Sequence, residues 1–183
     1  MPLQNALATT GYELELEEAE RHSRDRFVLR RDGSVVGRGT WFRGTRHIAP
    51  WIELQADIDF DPDSDRHRAL FDALAGALAP GGHVMVHYLQ DTATAEALTA
   101  DVPPPATPIG FLLWQAGCRW FKDWYFTEGW MEGDQKLQGN LPVDADHRRE
   151  RERETAAELE EYLSGDPDRD ACKKLAERVL DTL

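Results

Sequence analysis

The sequence is poor in cysteine, poor in lysine and without any long apolar run. Its two cysteines, Cys118 and Cys172, lie far apart and match no metal spacing. We expect two reduced, partly buried thiols rather than a disulfide or a zinc site. No apolar stretch approaches the ~20 residues of a membrane helix, so no membrane partner is expected. The opening segment, MPLQNALATTGYELE, has no basic stretch leading into an apolar one. That argues against a signal peptide and makes a cytoplasmic location the default. No P-loop and no GxSxG elbow is present, and no three of the six histidines fall at metal-ligand spacing. No metal site is therefore expected.

Only Lys122, Lys136, Lys173 and Lys174 stand beside 17 arginines, and the net charge is −13. A protein whose main work is gripping nucleic-acid phosphates needs clustered cations, so a nucleic-acid partner is not expected, although a local basic cleft remains compatible. An acidic, lysine-poor surface suits a halophilic host. A GC-rich genome accounts for the same arginine bias.

What is present is a change of period along the chain. Residues 12–18 alternate apolar and acidic, and 26–31 and 34–42 flank Asp32-Gly33, a strong hairpin signal. Residues 51–60, WIELQADIDF, alternate cleanly and read as a long strand. From Asp65 to Ala79 the spacing turns helical, with Ser64 or Asp65 as N-cap, and Pro80-Gly81-Gly82 stops it. HVMVHYL at 83–89 reads as a central strand covered on both faces. A short helix over 92–100, a Pro103–Pro105 break and a helix opened by Thr107-Pro108 follow. Residues 119–127 and 135–138 read as a last strand pair. Beyond Asp144 a highly charged helix leads to a second one starting at Asp166-Pro167, whose stripe is Ala171, Leu175, Val179, Leu180 and Leu183. The expectation is an α/β (α+β) domain over 1–142: a mixed sheet with an antiparallel N-terminal half, central strand 83–89 and flanking helices. A helical extension over 143–183 packs on that body or pairs two copies as a homodimer.

This order of elements, with FLLWQAGCRWF running from helix through glycine into a strand, resembles the Gcn-related N-acetyltransferase (GNAT) superfamily. The resemblance covers about residues 12–140. It implies a sheet whose two halves splay beside the central strand and receive the arm of acetyl-CoA or another acyl-CoA. TPIGFLLWQAG, WFKDWYF, EGWMEG and KLQG are also similar to an uncharacterised archaeal and bacterial domain family. Two marks of the acetyltransferases are absent. The glycine-rich pyrophosphate loop is replaced by Asp61-Pro62-Asp63-Ser64-Asp65-Arg66, and a tyrosine acid is replaced by Leu113. A competing likeness, LFDALAGALAPGGHVMVHYL, resembles the late helix, turn and strand of S-adenosylmethionine-dependent methyltransferases, yet no glycine-rich loop follows a first strand.

Four of the six tryptophans fall between Phe111 and Trp130. We expect Trp114 and Trp120 to fill the core, and Trp124 and Trp130, set among polar residues and glycines, to contact a small-molecule ligand. Asp123, Tyr125, Lys136 and Gln138 complete that candidate binding set, with Tyr88 from the central strand. Glu128 or Glu132 is the candidate general base toward a small amine, and His87 the candidate proton shuttle. If these charges are structural instead, an Asp123–Lys136 ion pair is expected. The reading is an acyl-CoA-dependent N-acyltransferase, with a non-catalytic binding or assembly module and a methyltransferase-like protein as alternatives.

Overall fold

The computed structural model describes residues 7, 10–17, 24–88, 91–125 and 135–183. Seven strands form one sheet in the order β1-β2-β3-β4-β5-β7-β6. They are β1 (Tyr12–Glu17), β2 (Arg24–Arg31), β3 (Ser34–Phe42), β4 (Trp51–Ala56), β5 (His83–His87), β6 (Trp120–Tyr125) and β7 (Gln135–Asn140). Every pairing is antiparallel except β4 with β5. The sheet is thus mixed, unlike the parallel sheet that the methyltransferase likeness implies.

The β2–β3 turn forms where the sequence places it. Asp32 and Gly33 both take positive φ, 51° and 79°, the conformation of a tight two-residue hairpin. The strand expected over 51–60 stops at Ala56. Its alternation continues, since Ile58 and Phe60 are buried, but the ladder does not. Past that point Asp57 donates to the Val36 carbonyl while Tyr88 donates to the Gln135 carbonyl. The β4 side therefore follows β3, the β5 side follows β7, and the parallel ladder ends at the Gln55–His87 pair.

Helices α1 (Asp65–Gly76), α2 (Thr92–Thr99) and α3 (Pro108–Gln115) cover one face of the sheet. Leu70, Phe71 and Leu74 of α1 and Ile109, Leu112 and Leu113 of α3 share a core with Ile52, Leu54, Val84, Val86 and Leu137. Caps begin all three helices: the side chains of Ser64, Asp91 and Thr107 each accept a backbone N–H of the first turn. Helices α4 (Ala145–Ser164) and α5 (Asp170–Leu180) pack outside α3, where Phe111 and Trp114 meet Leu159, Leu175, Ala176 and Val179. The last helix begins at Asp170 rather than at Asp166, because Asp166 takes a left-handed φ of 50°.

One consequence corrects the reading of β5. Its burial alternates, with Val84 and Val86 inside and His83, Met85 and His87 half-buried. It is central in the sheet, and the described helices that share its core cover one face. A second correction concerns Trp120, which is 41% exposed rather than packed, because the register puts it on the outward face of an edge strand. Trp114 is buried as expected, and both cysteines are free and buried.

Candidate functional site

The strand register lays the outward face in rows. One row runs Arg26, Thr40, Glu53, Met85, Gln138, Lys122. The next runs Val28, Arg38, Gln55, His87, Lys136, Trp124. Diagonal neighbours in these rows meet at Glu53. Its Oε1 lies 2.7 Å from His87 Nε2 and 2.6 Å from Lys136 Nζ. All three side chains are mostly shielded: His87 is 13%, Lys136 14% and Glu53 25% exposed. Short, charge-assisted contacts of this kind compensate the loss of water around a carboxylate. The hydrogen bond from His87, then those of Lys136, hold the Glu53 carboxyl down at about 2 despite its burial. It is an ionised acceptor throughout the ordinary pH range.

Glu53 stands at the middle of the parallel β4–β5 ladder and His87 at its carboxyl end, where parallel strands commonly open into binding crevices. Beside the cluster lies a cavity of about 440 Å³ whose polar lining comes from Glu53, Gln55 and His87, from Arg26, Arg38 and Thr40, and from Glu17. That size is within the range of small-molecule sites.

The ends of the pair are closed from the helix side by Asp91. This 1% exposed residue accepts from Phe60 N at 3.0 Å and from Thr94 N at 2.8 Å. Burial, helped by the nearby charge of Asp59, pushes its carboxyl up, while its backbone hydrogen bonds oppose the shift. At the head of α1, Ser64 Oγ takes the His67 N–H, Asp61 N donates to His67 Nδ1, and Asp63 N donates to Asp61 Oδ1. Arg178 from α5 reaches Asp63 Oδ1 at 2.7 Å.

The sequence-derived candidates divide. His87, Lys136, Trp124 and Gln138 share the outward face, where Trp124 Nε1 donates to Gln138 Oε1 at 2.9 Å and Lys122 sits 3.6 Å over the Trp124 ring. Tyr88 and Asp123 meet each other instead: the Tyr88 hydroxyl, on a side chain 3% exposed, donates to Asp123 Oδ1 at 2.6 Å. The expected Asp123–Lys136 pair is therefore replaced by two others, Tyr88–Asp123 and Glu53–Lys136. Tyr125 closes β6 opposite Gln135; its side chain, with Glu128, Trp130 and Glu132, lies outside the described residues. Sequence reasoning missed Glu53, Arg26 and Arg38. Glu53 was visible only as one acid in an alternating polar row, and its partners are 34 and 83 residues away along the chain. No group of three or more metal-binding side chains occurs among the described residues. None of the described helices is long and apolar enough to cross a membrane.

No curated protein matches the chain. A crystal structure of a protein of unknown function from Aquifex aeolicus VF5 is similar in fold, with a TM-score of 0.75 at 23% identity over 93% of this chain and 88% of that one. Residues 19–166 match a family described as "Protein of unknown function (DUF1122)", and the chain belongs to that family.

Proposed function

We propose that this protein is a divergent relative of the N-acetyltransferases that binds a small, amino-acid-like zwitterion on the open sheet face and takes a proton from its amine. The observation that carries the reading is the contact between His87 and Glu53 beside the cavity, on the one parallel strand pair. An ionised carboxylate can only accept. The His87 Nε2 therefore carries the hydrogen between them, and proton acceptance falls to Nδ1. Glu53 thus orients the ring, as carboxylates do behind catalytic histidines. Arg26 and Arg38 also line the cavity, and guanidinium groups supply what the acidic end of the substrate needs. The strand order and the one parallel pair support the acetyltransferase-like architecture.

The residues present do not fit the pyrophosphate of an acyl-CoA. A pyrophosphate needs backbone N–H donors at a helix start without nearby carboxylates. Here Asp61, Asp63 and Asp65 surround the start of α1, and the N–H groups of Asp61, Asp63 and His67 already have acceptors. Asp91 bridges the ends of the pair where a pantetheine arm would pass. No step is therefore routed through CoA. The same features favour one second reading, a binding module of this architecture without catalysis.

Calorimetric titration with the proteinogenic amino acids and their decarboxylated amines tests the proposal. At least one zwitterion binds the wild type, its amine counterpart binds more weakly, and Arg38→Ala and Glu53→Gln each weaken it by about tenfold, the loss of one charge-assisted contact. A panel without any binder, or a binder indifferent to both substitutions, refutes it. The proton passes from the bound ammonium to the His87 ring with no net exchange with solvent, so conversion of that ring to the imidazolium on binding, read by 15N NMR and absent with a quaternary ammonium analogue, separates the catalytic reading from the binding module.

A further inference from the structure

A second cavity, of about 880 Å³, is larger than the one beside His87. It opens on the helix-covered side, between the 59–63 loop, α2 and α5. Its apolar lining comes from Phe60, Cys172 and Leu175, which are 3%, 7% and 5% exposed. The charges of its wall fall into two groups. Arg178 is committed twice, to the Asp63 carboxylate at 2.7 Å and over the Phe111 ring at 4.4 Å. Arg169 leans toward Glu96 at 3.9 Å. With those pairs set aside, Asp59, Asp61 and Asp170 face a single cation, Lys174. The excess is negative, in a protein whose whole field is negative as well. A ligand for this place therefore needs an apolar body for the floor and a positive head for the rim.

We propose that the cavity between the 59–63 loop and α5 is a binding site for an amphiphilic organic cation, an alkyl or aryl chain ending in an ammonium group. An anion of the same shape would meet the three carboxylates at close range, and a neutral analogue would forgo the attraction. Charge at the rim selects the head group, and apolar area in the floor supplies most of the affinity. The site is independent of the one beside His87, and each stands or falls by its own ligand.

The test uses octyltrimethylammonium, with octanoate and 1-octanol as probes of equal chain length. Cys172 lines the cavity while Cys118 is fully buried elsewhere in the core. The alkylation rate of Cys172, followed by peptide mass spectrometry, therefore reads occupancy directly. The ammonium slows that rate in a saturable way and raises the Tm, as a ligand of the folded state must. Octanoate does neither at the same concentration. The Asp59→Asn/Asp61→Asn variant, which keeps the hydrogen-bond acceptors of both side chains, binds the ammonium about tenfold more weakly, as two charges about 6 Å away through a water-like medium would give. Equal protection by octanoate, no protection by the ammonium, or unchanged affinity in the double variant overturns the proposal.

Discussion

Removing the charge of Glu53 exposes how much of the fold rests on the outward face. The carboxyl ionises at about 2 in the folded protein, against an ordinary 4.5. A depressed value means that the stabilisation is fully present above the unfolded value of 4.5 and is lost as pH falls toward 2. At roughly 1.36 kcal/mol per pH unit, that gap has a ceiling of about 3 kcal/mol. Glu53 is 25% exposed, so water screens part of it, and about 2 kcal/mol is the expected share. In urea unfolding at pH 7, Glu53→Gln is therefore less stable than wild type by about 2 kcal/mol. The difference shrinks between pH 4.5 and 2 and is gone below. Replacing Glu53 and Lys136 together, as Gln and Met, recovers part of the loss at pH 7, because the variant no longer holds the ammonium without the carboxylate it contacts. A gap between wild type and Glu53→Gln that stays constant from pH 7 to 2 would refute the electrostatic account and leave only a packing effect. No gap at pH 7 would show that the pair contributes nothing to folding.

Three further substitutions probe the frame around the site. Gly39→Ala puts a methyl group against the Phe27 ring and the Glu53 carbonyl; overpacking at the β2–β3–β4 junction costs about 1–3 kcal/mol or more, read as a lower urea midpoint. Trp114→Ala removes a 2% exposed ring that donates to Thr182 Oγ1 at 3.0 Å and lies 4.1 Å under Arg119. It costs about 3–5 kcal/mol and makes α5 the first segment cut in limited proteolysis. Asp91→Ala strands the Phe60 and Thr94 N–H groups and costs about 2–4 kcal/mol, whereas Asp91→Asn, which retains an acceptor, costs less in the same denaturation assay.

The elements were largely legible in the sequence because they rest on local chemistry. Asp32-Gly33 can form its turn without help, and Thr107-Pro108 carries its own cap and first helical residue. The errors fall where a neighbour decides. The alternation of 51–60 persists in burial, but the strand ends when β4 and β5 part, which no residue in 51–60 announces. HVMVHYL looked doubly covered because histidine and methionine pass as interior residues, yet the described helices that share the sheet's core lie on one face. The site was legible on one side only. His87 stands out among apolar neighbours and Lys136 as a rare lysine beside the aromatic run, whereas Glu53 lies in a strand whose alternate residues are polar. Its importance comes from a parallel register that pairs Gln55 with His87, and an antiparallel one that pairs His87 with Lys136.

The scarcity of lysine now has a structural counterpart. Two of the four lysines, Lys122 and Lys136, lie on the outward face in adjacent rows of the register, and Arg26 and Arg38 lie on the same face across β4 and β5. The same face carries Glu53 and, on β1, Glu13, Glu15 and Glu17, so its cations are interleaved with carboxylates. Lysine at 136 suits the geometry as arginine would not. His87 and Lys136 approach the same carboxylate oxygen, within 2.7 Å and 2.6 Å. A compact ammonium can share one oxygen with an imidazole, whereas a guanidinium fork would claim both oxygens and push the ring aside. Arg26 and Arg38 line the neighbouring cavity, and a planar guanidinium fork suits the two oxygens of a carboxylate ligand. The two cation types thus suit different tasks by the shapes of their donors: a lysine shares the one Glu53 oxygen with His87, and the arginines are the groups to which the proposed ligand acid is assigned.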